Sequence, residues 1–146
     1  MKTETPKLVT LELSTLECWA AFQALGVAVA GVSRKVFHII RKTRSILKPI
    51  FDEREQGMAL VIQECVEKDA MGNAKYTDDK KDFVWLKGKE KDGRERLADI
   101  NNEKRTIEVV PILWDDLLPD SEDGVDNAGA LFALADWGFV VDELEA

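Results

Sequence analysis

A mostly helical α+β fold, with a long kinked helix packed against shorter helices and a small sheet, is what the amino-acid sequence predicts. Three observations carry that expectation. From residue 33 the side chains of Val36, Ile39, Ile40, Ile46, Leu47 and Ile50, with Thr43 on the same stripe, recur every three or four positions, the period of one helix face. Residues 8–13 (LVTLEL) and 106–110 (TIEVV) have the alternating or β-branched character of strands. The 146 residues are 45% hydrophobic with only nine Gly and four Pro, an ordinary globular composition. A chain of this length buries about 68% of its unfolded surface, so one domain over 1–146 needs neither metal nor disulfide.

Taken in order, the strand at 8–13 is followed by Ser14-Thr15-Leu16-Glu17. This is a capping box, in which the Ser14 hydroxyl accepts from the Glu17 amide and the Glu17 carboxylate reaches back to the Ser14 amide. A helix therefore starts here, runs through Trp19 and Phe22 to Leu25, and is expected to end at Gly26 in a left-handed cap. The long helix is expected from 33 to about 69, bent near Pro49, which lacks an amide donor, and weakened at Gly57. Residues 70–82 read as a polar loop with a turn at Gly72-Asn73, and 83–86 as a short apolar run compatible with strand or helix. Asp92 is the expected cap of a helix to about 104. The second strand follows at 106–110, pairing with 8–13, and Pro111 opens a helical turn. The last helix is expected from 128 to 144, capped by Asp126 or Asn127 and largely buried through Leu131, Leu134, Trp137 and Phe139.

Charge is distributed unevenly. Residues 1–50 hold eight Lys or Arg against three acids, 51–105 twelve against fourteen, and 106–146 none against eleven, within a net charge of −8. Between Glu17 and Asp52 no acid interrupts Arg34, Lys35, Arg41, Lys42, Arg44 and Lys48. Asp142, Glu143 and Glu145 fall at the expected end of the last helix, the wrong sign for its dipole. Segregation of this kind points to a charged partner, or to two ends that meet each other.

Catalytic and metal signatures are missing. The one histidine, His38, has no Asp or Ser beside it, so no Ser-His-Asp or Cys-His arrangement can be assembled. The acidic run 120–126 places its glycine wrongly for a calcium loop, and there is no GxxxxGK[ST] or GxGxxG. No catalytic, cofactor or metal residue is assigned. Cys18 and Cys65 lie in apolar surroundings and are expected to be reduced and buried, which favours a cytoplasmic setting. The weakly polar run 19–32 is 14 residues long, short of the ~20 needed to span a bilayer, and the acids Glu12 and Glu17 argue against a signal peptide. A net charge of −8 opposes nucleic acid as the partner of the basic segment.

The short strand and capped helix, the long helix bearing ILKPIFDERE (46–55), the Gly72-Asn73 turn and TIEVVPILWDDLL (106–118) together resemble a family of small uncharacterised phage-encoded proteins. The resemblance implies a phage or prophage origin and one of three employments: virion assembly, takeover of host machinery, or inhibition of a host defence. It carries over no catalytic residue. The expected function is that of a non-enzymatic interaction protein in the host cytoplasm, which self-associates or docks a phage or host protein through the long helix. Arg34, Lys35, Arg41, Lys42, Arg44 and Lys48 would meet an acidic tail at Asp142, Glu143 and Glu145, with Trp137 supplying apolar contact. The alternative is an acidic inhibitor that mimics nucleic acid at a basic site on a host enzyme.

Overall fold

The computed structural model of the chain describes residues 7–27, 33–117 and 128–142. In order, the elements are β1 (Val9–Ser14), α1 (Thr15–Val27), α2 (Arg34–Cys65), α3 (Glu90–Asn102), β2 (Lys104–Val109), β3 (Ile112–Leu113), α4 (Trp114–Leu117), α5 (Ala128–Asp136) and β4 (Val140–Val141). The fold is α+β and mostly helical, with the long helix as expected. There are two compact units, one within Met1–Phe51 and Lys104–Ala146, the other Asp52–Glu103. Helix α2 belongs to both.

In the first unit β1 and β2 pair antiparallel in the register Val9 with Val109 through Ser14 with Lys104, so the two expected strands do form one small sheet. The capping box also forms. The Glu17 amide donates to Ser14 Oγ at 3.1 Å and the Ser14 amide to Glu17 Oε1 at 2.9 Å. Each satisfies a donor that a helix start leaves without an internal partner. The core joins Leu13, Cys18, Ala21, Leu25, Val36, Ile40 and Leu47 to Ile107, Val109, Leu131, Leu134 and Phe139. The apolar stripe of α2 thus faces inward over its first four turns, with Thr43 buried in line with it.

Several boundaries differ from expectation. Gly26 does not end α1 in a left-handed cap; it lies inside the helix, and the positive-φ glycines described are Gly72, Gly88 and Gly138. Helix α2 continues through Pro49 and Gly57 but stops at Cys65 rather than near 69, because Val66 turns into an antiparallel bridge with Trp85. Pro111 opens no helical turn. The Ile112 amide donates to the Phe139 carbonyl at 2.8 Å, which draws Ile112–Leu113 into β3, parallel to β4. The last helix ends at Asp136, not 144. Gly138 takes φ 93°, its amide donates to Ala135 and the Phe139 amide to Leu134 (3.1 and 3.0 Å), the paired bonds of a Schellman cap. Asp142 therefore follows a strand and not a helix end, which removes the dipole argument for it. Glu143 and Glu145 lie outside the described residues.

In the second unit, three short segments within 65–86 pair with one another: Val66 with Trp85, Lys68 with Ala74, and Tyr76 with Phe83. The segment expected as a loop thus supplies bridges, turning at Gly72 (φ 84°), where Asp69 Oδ1 accepts from the Met71 and Asn73 amides. Helix α3 begins at Glu90, after Lys89, so Asp92 sits in its first turn and not at its cap. Gly93 is buried against Trp85. Arg54, also buried, donates from Nε to Asn101 Oδ1 at 2.8 Å.

Candidate functional site

At 100° per residue, the α2 positions 36, 40, 43 and 47 take one side of the helix and 34, 35, 41, 42 and 48 the other. Burial follows that division: Val36, Ile40, Thr43 and Leu47 are buried, while Arg34, Lys35, Arg41, Lys42 and Lys48 are exposed. A helix that must bury an apolar stripe in the core leaves its remaining face to water, and from Arg34 to Lys48 every charge on that face is positive.

Arg44 is the exception in burial. Half-buried, it donates from Nε to the Phe22 carbonyl at 3.2 Å and lays its guanidinium carbon 4.0 Å from the centroid of the Phe22 ring, a cation–π contact. Gly26 makes room for it, since a Cβ there would lie 3.2 Å from Nη2. Phe22 in turn packs on Phe51 (centroids 4.5 Å), and Trp19 lies parallel to Phe51 at 6.4 Å. The Arg44 side chain is therefore fixed by α1 on three counts.

Between α1 and α2 these residues enclose a groove of about 350 Å³. Phe22, Phe37 and Ile40 provide its apolar surface, and Arg41, Arg44, Ser45 and Lys48 its polar one. Phe37 is 40% exposed, so part of its ring is open to a ligand. Ser45 Oγ donates to the Arg41 carbonyl one turn back, at 3.0 Å.

Three of the six basic residues singled out by the sequence, Arg41, Arg44 and Lys48, thus meet at one place. Arg34 and Lys42 do not line the groove. Lys35 forms an ion pair with Asp116 of α4 at 3.6 Å, so one contact between the basic segment and the acidic third is made within the chain. Trp137 is half-buried and packs on the core of the first unit. Asp142 is exposed. Sequence reasoning missed Phe37 and Ser45, which share the 37-41-45 and 44-48 spacing of one face, and Phe22, which no spacing within α2 reveals.

Chemically the groove holds donors and apolar surface, and among the described residues no thiol, imidazole or carboxylate lines it. Among the described residues no cluster of His, Cys, Asp or Glu fits a metal ion, and no helix is long and apolar enough to cross a membrane. Both cysteines are free and buried. Burial pushes the Cys18 thiol from its ordinary 9.0 up to about 11, against the opposing Arg105 guanidinium and with Glu17 adding to the rise. In the second unit Arg94 bonds Asp82 and Glu90. The Arg94 bond, followed by the Phe83 amide, holds the Asp82 carboxyl below its usual range. No family model, curated protein or solved structure matches the chain.

Proposed function

We propose that this chain is a non-enzymatic interaction protein that docks a protein partner, or a further copy of itself, through the basic face of α2. The observation that supports this reading is the joining of Arg41, Arg44 and Lys48 around an open apolar groove on the water-facing side of that helix. An interface needs an apolar centre for affinity and charges around it for register and rate. The groove supplies the first and the remaining basic residues the second, while the eleven acids of 106–146 give another copy complementary charge. A phage-type role in the host cytoplasm, in assembly, takeover or anti-defence, belongs to the same reading.

Sedimentation velocity across concentration and salt tests it. Association at low salt should weaken at about 0.5 M, where the Debye length is roughly 4 Å, and the double substitution Arg34→Glu, Lys42→Glu should weaken it at low salt. A host protein captured on the wild-type chain and lost on the double variant supports the heterologous form. A strict monomer at every concentration, with capture unaffected by the double variant, rejects docking through this face and favours the acidic-mimic reading.

A further inference from the structure

We infer that the groove between α1 and α2 takes an acidic peptide segment of a partner protein carrying one apolar anchor side chain: the carboxylates meet Arg41, Arg44 and Lys48, and the anchor lies on Phe22 and Phe37. This deepens the docking reading and rests on it.

Three features of the groove select that ligand. Among the described residues its lining contains three cations and no carboxylate, a set of charges that favours an acid. Arg44 uses its Nε on the Phe22 carbonyl, and among the described residues its remaining guanidinium donors meet no acceptor. A guanidinium held by a carbonyl, a ring face and the bare backbone at Gly26 has already lost the freedom that binding would otherwise cost, and its fork geometry fits a carboxylate. The volume of about 350 Å³ is at the lower end for ligand pockets, suited to one large side chain with its neighbours.

An acidic peptide is favoured over nucleic acid on the same observations. Polyanion binding draws its strength from many phosphate contacts, and three cations on a chain of net charge −8 supply few. A phosphodiester backbone also has nothing to place on the exposed Phe37 ring.

Fluorescence anisotropy with the full chain and labelled synthetic nonapeptides tests the assignment. The probes are a peptide of Asp and Glu with a central Phe, the same peptide with a central Ser, a Lys peptide with a central Phe, and an oligothymidylate ten nucleotides long. The acidic Phe peptide should bind, the Ser peptide about tenfold more weakly, and the Lys peptide and oligothymidylate more weakly still. Arg44→Gln should weaken the acidic Phe peptide by about tenfold or more, whereas Lys91→Gln, exposed on α3 in the second unit, should change it less than about twofold. Because Arg44 packs on Phe22, Ser45→Glu is a second variant: an exposed position that introduces a carboxylate without removing that packing, and it should abolish binding. Equal affinity for the Phe and Ser peptides, tighter oligothymidylate binding, or no acidic peptide binding at all would overturn the assignment. If Ser45→Glu leaves association or partner capture intact while Arg34→Glu, Lys42→Glu abolishes it, the basic face docks a partner and the groove is not where its anchor goes.

Discussion

Gly93→Ala sets two physical effects against each other, and the structure decides which wins. Gly93 lies in the first turns of α3, where replacing Gly by Ala should by intrinsic preference stabilise the helix by up to about 1 kcal/mol. A Cβ at this position, however, would lie 2.2 Å from Trp85 Cζ3, 2.9 Å from Cε3 and 3.1 Å from Cη2. Ordinary contact begins at 3.4 Å, so the ring would have to retreat by about 1.2 Å. It is a rigid ring, set edge-on to Phe83 at 5.7 Å and approached by the Arg94 guanidinium at 5.3 Å, so the retreat disturbs both neighbours. Overpacking of this kind costs roughly 1–3 kcal/mol, and a shift this large belongs at the upper end. The net expectation is a loss of about 2 kcal/mol once the propensity gain is subtracted. Urea unfolding followed by tryptophan fluorescence and by circular dichroism measures it, with Gly129→Ala as the control. Gly129 is exposed in α5 and its added Cβ meets nothing within 4 Å, so that variant should gain a few tenths of a kcal/mol. If Gly93→Ala is as stable as the wild type, or gains like Gly129→Ala, the close approach of Trp85 to the α3 backbone is refuted.

Further consequences are open to measurement. Ser14→Ala should cost about 1 kcal/mol, and a midpoint within experimental scatter of the wild type would mean the capping bonds contribute nothing net. Cys18 ionises near 9.0 when exposed and near about 11 when buried, so its stabilising contribution is complete below pH 9 and is lost as pH rises to about 11, by up to roughly 2–3 kcal/mol. Cys18→Ala should flatten the stability profile in that window, and an unchanged slope counts against the burial. Both thiols should react slowly with a thiol reagent in the native state and rapidly in denaturant. Asp82, held below its usual range by Arg94, contributes stability above that range that is lost in acid, so Asp82→Asn should be less acid-sensitive than the wild type. Identical acid profiles for the two would show that this pair carries no such linkage.

Much of the architecture was written locally. The capping box fixes where α1 starts because Ser14 and Glu17 satisfy each other's amides within one turn, and nothing distant is needed to read it. The stripe from Val36 to Leu47 declares both the inward and outward faces of α2, so the exposure of its basic residues follows from composition and period together. The strands at 8–13 and 106–110 were legible, and so was their pairing. Elsewhere local signals competed. The tail from 128 is apolar on more than half its circumference, which reads locally as one buried helix to 144. The Schellman cap at Gly138 and the pairing of Val140 with Ile112 end that helix early. Likewise α2 ends at Cys65 because Val66 finds Trp85, nineteen positions away.

For the groove, the sequence by itself determined the cations and their spacing, and only the tertiary structure decided what they enclose. Arg41, Arg44 and Lys48 share a face by helix geometry alone. That Arg44 should leave its neighbours and settle on Phe22 depends on a carbonyl and a ring from α1, twenty-two positions earlier, and on Gly26, which the sequence offers as a helix terminator and the packed structure uses as a clearance. Helical period and capping act over three to eight residues along the chain. The contact of one helix with another is set by which apolar surfaces the whole core can bury at once, a sum over distant partners that no short stretch of sequence contains.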